Sequence, residues 1–134
     1  MTEIRMVRVA VCGAHMSGLP LNSQLTSIGG RLVAKTTTSP SYRFYKLAGF
    51  IPPRPGLLRT GRGGTIELEV WEVPVTEYGA FVAAIPAPLG IGTIELADGS
   101  LVQGFLCEAY ATENAEDITH FGGWRGFLLA SSGS

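Results

Sequence analysis

The chain's first apolar run, Met6-Val7-Arg8-Val9-Ala10-Val11, is interrupted only by Arg8 and empties into the glycine-bounded turn Cys12-Gly13-Ala14-His15-Met16-Ser17-Gly18. Apolar residues on both faces predict a strand, about Arg5 to Val11, in the middle of a sheet. Leu19-Pro20-Leu21-Asn22 then leads toward a helix start. At such a junction backbone N–H groups converge without partners, which suits a small anion. One of the chain's two histidines sits inside the turn. The strand therefore constrains the fold, and the turn is the first place to look for chemistry.

Helical spacing of Leu21, Leu25 and Ile28 predicts a short helix over Pro20 to Ile28, stopped by Gly29-Gly30. Val- and Thr-rich Arg31 to Thr38 reads as a second strand and Tyr42 to Leu47 as a third. Gly49 to Gly56, with Pro52, Pro53 and Pro55, is expected to be an irregular loop, because proline removes donors and fixes φ. Thr65 to Trp71 alternates, with Ile66, Leu68 and Val70 on one side and Thr65, Glu67 and Glu69 on the other. Thr76 is an expected N-cap for a helix bearing Tyr78, Phe81, Val82 and Ile85 on one face and ended by Pro86. Ile85 to Gly92 is expected to form a second rigid loop. Asp98-Gly99 between Ile94-Glu95-Leu96 and Leu101 to Glu108 predicts a hairpin of the type I′ kind. One helical turn within Thr112 to His120 completes the reading. The sum is an α+β fold of six or seven strands and two short helices, a curled mixed sheet or small barrel.

At 134 residues the chain is long enough for one core. A single domain is expected over residues 1–130, with residues 131–134 a loose, flexible tail. Ten basic residues against eleven acidic ones leave no cluster able to follow a phosphate backbone, so nucleic acid is excluded as a partner. The apolar runs are too short to cross a membrane, and Met1-Thr2-Glu3-Ile4-Arg5 lacks the apolar core of a signal peptide. A cytoplasmic protein with buried free thiols at Cys12 and Cys107 is the expectation.

Among candidate sites His15 stands first. A histidine satisfied by hydrogen bonds at a strand end is the alternative, but Gly13 and Gly18 permit inward-aimed N–H groups and Ser17 adds a hydroxyl. An imidazole beside such donors suits a general acid acting on an anion. Ser17 lacks the glycine pattern of a nucleophile elbow and an orienting carboxylate close in sequence, so a hydrogen-bonding or capping role is expected. Two histidines and two distant cysteines show no metal-ligand spacing. Glu67 and Glu69 are read as a solvated strand face. Arg43, between Tyr42 and Phe44, either forks onto a ligand carboxylate or stacks on a ring at the surface. Gly122-Gly123-Trp124-Arg125 reads as a turn that buries Trp124 and could wall the pocket.

Several runs taken in order resemble the C-terminal domain of allophanate hydrolase, which also closes the allophanate-hydrolysing part of urea amidolyase. They are Gly13-Ala14-His15-Met16-Ser17-Gly18-Leu19-Pro20-Leu21-Asn22, Tyr42-Arg43-Phe44-Tyr45 and Pro52-Pro53-Arg54-Pro55-Gly56-Leu57, then Glu67-Leu68-Glu69-Val70-Trp71 and Ile85-Pro86-Ala87-Pro88-Leu89-Gly90-Ile91-Gly92. Gly104-Phe105-Leu106-Cys107-Glu108 and Asp117-Ile118-Thr119 through Trp124-Arg125 complete the set. The resemblance covers nearly the whole chain and implies a γ-glutamylcyclotransferase-like fold with its pocket at the loop after the first strand.

It also implies a part in allophanate breakdown, where the amidase domain leaves N-carboxycarbamate and the C-terminal domain decarboxylates it. His15 would be the catalytic residue. The candidate substrate-binding residues are Gly13, Ala14, Met16, Ser17, Gly18, Leu19, Arg43, Pro88, Leu89, Gly90, Ile91 and Gly92, with the apolar Pro86 to Ile91 loop excluding water. No cofactor or metal is called for. The chain departs from the family in carrying no amidase domain, since Ser-cisSer-Lys machinery does not fit in this length. It is expected to be a stand-alone relative or an excised domain, with an amidase subunit as a candidate partner and a homodimer left open. Cyclotransferases place an acidic base after the central helix, where Ile85 to Gly92 offers no carboxylate, so cyclotransfer is not expected. The rival readings are a non-catalytic accessory or oligomerisation domain serving an amidase, and, more weakly, cyclotransfer or hydrolysis on another small amide.

Overall fold

β1 (Met6–Val11) lies at the centre of a five-stranded sheet. β5 (Glu67–Pro74) runs antiparallel to it along its whole length, from Met6 opposite Pro74 to Val11 opposite Glu69. β7 (Leu101–Cys107) lies parallel on the other side. β2 (Arg31–Thr37) and β6 (Leu89–Glu95) complete the order β2-β5-β1-β7-β6. A second sheet has β3 (Tyr42–Leu47) between β4 (Arg54–Arg59) and the two-residue β8 (Glu116–Asp117). The helices are α1 (Ser23–Thr26), α2 (Val75–Ala83) and α3 (Trp124–Ser132). This is a computed structural model describing residues 4–132, so Met1 to Glu3 and the last two residues of the expected tail lie outside the described residues.

The expected α+β class holds, as an open pair of sheets with eight strands and three short α-helices among the described residues rather than a closed barrel. Val9, Ala10 and Val11 are buried, and Tyr42, Phe44, Ile66, Leu68, Trp124 and Phe127 join them in one core. Cys12 and Cys107 are buried free thiols, as expected, and burial pushes them up to about 12 and about 11. No helix among the described residues is long and apolar enough to cross a membrane.

Four local readings are corrected. The proline-rich loop becomes regular at Arg54, and Pro55 sits opposite Lys46 inside β4. β4 is an edge of its sheet, so its proline has no outer ladder bond to lose. The second rigid loop likewise ends at Leu89, which pairs with Cys107. The Asp98-Gly99 hairpin is present, but only Gly99 has a positive φ, +87°, and the Gly99 N–H donates to the Leu96 carbonyl. That is a longer turn closed by a left-handed glycine, not type I′, which needs positive φ at both central residues. Finally, α2 starts at Val75 with Pro74 at its N-cap, so Thr76 lies inside the helix. α3 was not anticipated; its glycines suggest a turn, but Trp124 and Phe127, three apart, anchor one face in the core.

The largest departure concerns Glu69. It is 2% exposed, although the alternation of β5 suggests a solvated face. Its Oε1 accepts from the Ser17 N–H at 2.7 Å and from Trp71 Nε1 at 3.0 Å. Its Oε2 accepts from the Ser17 hydroxyl at 2.7 Å and from Arg125 Nη2 at 3.0 Å. Arg125 also donates to the Ser17 carbonyl at 2.8 Å. One carboxylate thereby ties the loop after β1 to β5 and α3. Burial alone would push the Glu69 carboxyl up, but the donors from Ser17, Trp71 and Arg125 outweigh it, and its pKa lies below the ordinary value.

Glu69→Gln places an amide NH2 among donors. It is expected to cost about 2–4 kcal/mol in urea unfolding, as for a broken buried charge pair. Because the folded-state pKa is depressed, the wild type holds this contribution above the ordinary carboxylate range and loses it as pH falls through the lower folded value. The stability difference between wild type and variant should therefore shrink on acidification; a difference independent of pH would contradict the assignment.

Candidate functional site

The loop from Gly13 to Asn22 is folded on itself before it meets any ligand. Met16 donates to the Gly13 carbonyl, Leu19 to Met16, and Leu21 to Ala14. The Asn22 side chain donates to the His15 carbonyl at 2.8 Å. Gly18, at φ +77°, provides the left-handed turn. Gly13 meets β4 closely: a Cβ there would lie 2.5 Å from Pro55 Cδ, so only glycine admits this approach. The contact brings Arg54, beside Pro55, up to His15.

His15 is 5% exposed. Its Nε2 hydrogen-bonds Gln24 Oε1 at 2.8 Å. The Phe105 ring lies 4.9 Å from the imidazole centroid and Phe81 5.8 Å, edge-on. A cleft of about 300 Å³ opens beside it, lined by Gln24, Ser27 and Ile28 from the α1 region, by Glu77, Ala80, Phe81, Ala84 and Ile85 from α2 and its end, and by Arg54. A smaller cavity of about 20 Å³ lies between His15, Cys12, Arg54, Leu89 and Phe105.

Burial holds the His15 pKa below its ordinary 6.5; the Gln24 hydrogen bond works against that, and Arg54 adds to the lowering. The free protein therefore carries a neutral imidazole at neutral pH. Arg54 forms no salt bridge among the described residues and stacks over Phe50 at 5.5 Å. It is a cation available to an anion, in a setting that lowers its own pKa by desolvation.

The structure separates the residues grouped from sequence. His15 and Leu89 share the small cavity, with Gly13 and Ala14 in its wall. Met16 is wholly buried in the core, and Leu19 packs against that core. The Ser17 N–H and hydroxyl are both engaged by Glu69, so the anion held there is internal. Arg43 points out from β3 to Asp117 at 3.2 Å and does not line the cleft beside His15, because Tyr42 and Phe44 on either side point into the core. Pro88, Gly90, Ile91 and Gly92 line a separate hollow with Leu106, Cys107 and Glu108.

Arg54, Gln24 and Glu77 were missed. Gln24 had a signal, being three residues after Leu21 and four before Ile28, a polar residue on an apolar stripe. Glu77 supplies a carboxylate to the cleft from the first turn of α2, before the loop where one was sought. Arg125, read as part of a turn, proves to clamp the loop.

Comparison with known proteins places this arrangement. The family model of the allophanate hydrolase C-terminal domain matches residues 7–129. Urea amidolyase of Saccharomyces cerevisiae is 40% identical over 127 residues, which is 91% of this chain and 7% of that protein. The chain thus spans about 7% of the length of the curated relatives it matches. The crystal structure of Kluyveromyces lactis allophanate hydrolase superposes with a TM-score of 0.90 at 39% identity, over 95% of this chain and 22% of that one. A uropathogenic E. coli-specific protein matches over 94% of this chain and 98% of its own, with a TM-score of 0.86 at 35% identity. A γ-glutamyl cyclotransferase shares the fold, with a TM-score of 0.59 at 7% identity. By sequence and by structure, the chain belongs to the allophanate hydrolase C-terminal domain family.

Proposed function

We propose that the cleft binds a small dianionic carbamate of the N-carboxycarbamate type and decarboxylates it, with His15 as general acid. The observation that carries this reading is the buried imidazole lining one cleft with Arg54, a cation with no carboxylate partner among the described residues. Arg54 takes one substrate carboxylate, the place first assigned to Arg43. The N–H groups of Gly13, Ala14, His15 and Gly18 carry no hydrogen bond to the described residues, so the loop keeps backbone donors for a second carboxylate.

In the reaction the C–N bond to the departing carboxylate breaks and carbon dioxide leaves. The electron pair goes to nitrogen, which takes a proton from His15, and carbamate remains. The phenylalanine walls favour loss of charge from the reacting carboxylate. His15 must be charged to deliver its proton, and it is neutral in the free protein. A dianion in the cleft supplies the missing negative charge, and a carboxylate on Arg54 removes that cation's opposition. Substrate thus arms its own acid.

Exposed apolar residues favour a second, accessory reading. Leu32 and Val33 on edge strand β2 and Leu101 on β7 are exposed, which suits packing against a partner such as an amidase. Co-purification with an amidase subunit, set beside calorimetry with malonate, distinguishes the two. Partner binding without dianion binding would leave only the accessory role.

Carbon dioxide release from freshly prepared N-carboxycarbamate should exceed the uncatalysed rate. It should fall about 10²–10⁴-fold in His15→Ala, the usual share of a general acid, while Arg54→Met should chiefly raise KM. Equal, uncatalysed rates for wild type and His15→Ala would end the decarboxylase proposal. In the free protein, His15 should titrate below 6.5 by NMR, and Arg54→Met should move it up. Its depressed pKa means that folding stability falls as pH drops from above 6.5 through the folded value, where the unfolded chain binds the proton first. A His15 that titrates at or above the ordinary value would contradict this electrostatic account.

A further inference from the structure

We propose that Gln24 is a positioning residue: its side-chain carbonyl holds His15 as the Nε2–H tautomer, so that Nδ1 alone exchanges a proton with a ligand in the cleft. The tautomer follows from the geometry of the free protein; its use in proton delivery rests on the decarboxylase reading.

A neutral imidazole has one donor nitrogen and one acceptor, and a fixed partner on one nitrogen decides which is which. The partner here is the amide of Gln24, 2.8 Å from Nε2, with its oxygen toward the ring. An amide oxygen accepts from Nε2–H whether the ring is neutral or charged. The amide NH2 could face Nε2 only in the neutral state, because a charged ring has no lone pair left to receive it. A histidine that cycles between the two states is therefore served by the oxygen and not by the NH2.

The ring is also held mechanically. Phe105 and Phe81 pack against it, and Asn22, two residues before Gln24, holds the His15 carbonyl. Asn22 and Gln24 thus grip the same residue at its backbone and at its ring. No hydrogen bond reaches Nδ1 from the described residues, and Nδ1 is not one of the buried side-chain polar atoms left without a partner. Nδ1 therefore keeps access to solvent, on a residue that lines the cleft.

The charged and titratable groups around the ring come from several elements. Arg54 on β4 opposes an imidazolium, and Glu77 on α2 lines the same cleft. Cys12, at the end of β1, is neutral because burial keeps its thiol protonated. Against the desolvation imposed by Phe81 and Phe105, the Gln24 bond is the contact that raises the basicity of His15.

The test is the ¹⁵N NMR signature of His15 in the free protein, followed through its titration in wild type, Gln24→Leu and Gln24→Glu. Wild type above its pKa should show a protonated, pyrrole-like Nε2 and a pyridine-like Nδ1. Gln24→Leu should lower the His15 pKa and mix the tautomers; Gln24→Glu should raise the pKa and keep Nε2–H. A purely structural role for Gln24 would not move the pKa in opposite directions. A pyridine-like Nε2 in wild type overturns the inference outright, and that spectrum needs no variant to fold. Carbon dioxide release is measured separately. An Nε2–H tautomer in a protein that releases no carbon dioxide supports the inference and defeats the decarboxylase reading.

Discussion

A carboxylate with almost no access to solvent holds the loop after β1 in place. Glu69 accepts four hydrogen bonds, two of them from Ser17, and meets the Arg125 guanidinium, itself about one-third exposed. Desolvating a carboxylate costs several kcal/mol, which only a full set of donors and a cation can offset. The donors come from the loop after β1, from β5 itself and from α3, so these segments are registered against one another by a single charge. The loop N–H and hydroxyl that could receive an external anion are consumed in the process. The fold has filled its own anion nest.

The candidate site centres on His15, two residues before the clamped Ser17. His15 emerges from the clamped loop into a cage of Phe81 and Phe105, while the proline-rich β4 brings Arg54 alongside through the contact of Pro55 with Gly13. An imidazole in apolar surroundings beside a cation favours its neutral form. This matters for a residue proposed to donate a proton. Charge on the acid is then a property of the occupied cleft, and the empty cleft rests with His15 neutral.

Much of this was legible in the sequence. The central placement of β1, the strands β2, β3, β5 and β7 and the prominence of the His15 turn follow from apolar periodicity and glycine placement, which act locally, whereas β4 and the start of β6 lie in proline-rich runs that read as loops. What stayed hidden depends on partners distant in the chain. Glu69 reads as solvated because alternation says which face a residue occupies but not what covers that face; its partners are Ser17 and Arg125. The surroundings of Arg43 and Arg54 were hidden for the same reason. Arg43 sits among aromatics on an attractive strand, but its pleat points it to Asp117, while Arg54 hides among prolines that an edge strand accommodates. α3 was masked by Gly122, Gly123 and Gly126, whose turn-like composition outweighs a two-residue aromatic anchor.

A dianion that charges His15 on entering the cleft must bring a proton with it. Isothermal calorimetry of malonate binding at neutral pH, repeated in buffers of different ionisation enthalpy, counts the protons exchanged on binding. The account predicts net proton uptake in the wild type that disappears in His15→Ala. Malonate binding with no proton uptake, or with the same uptake in both proteins, would contradict it.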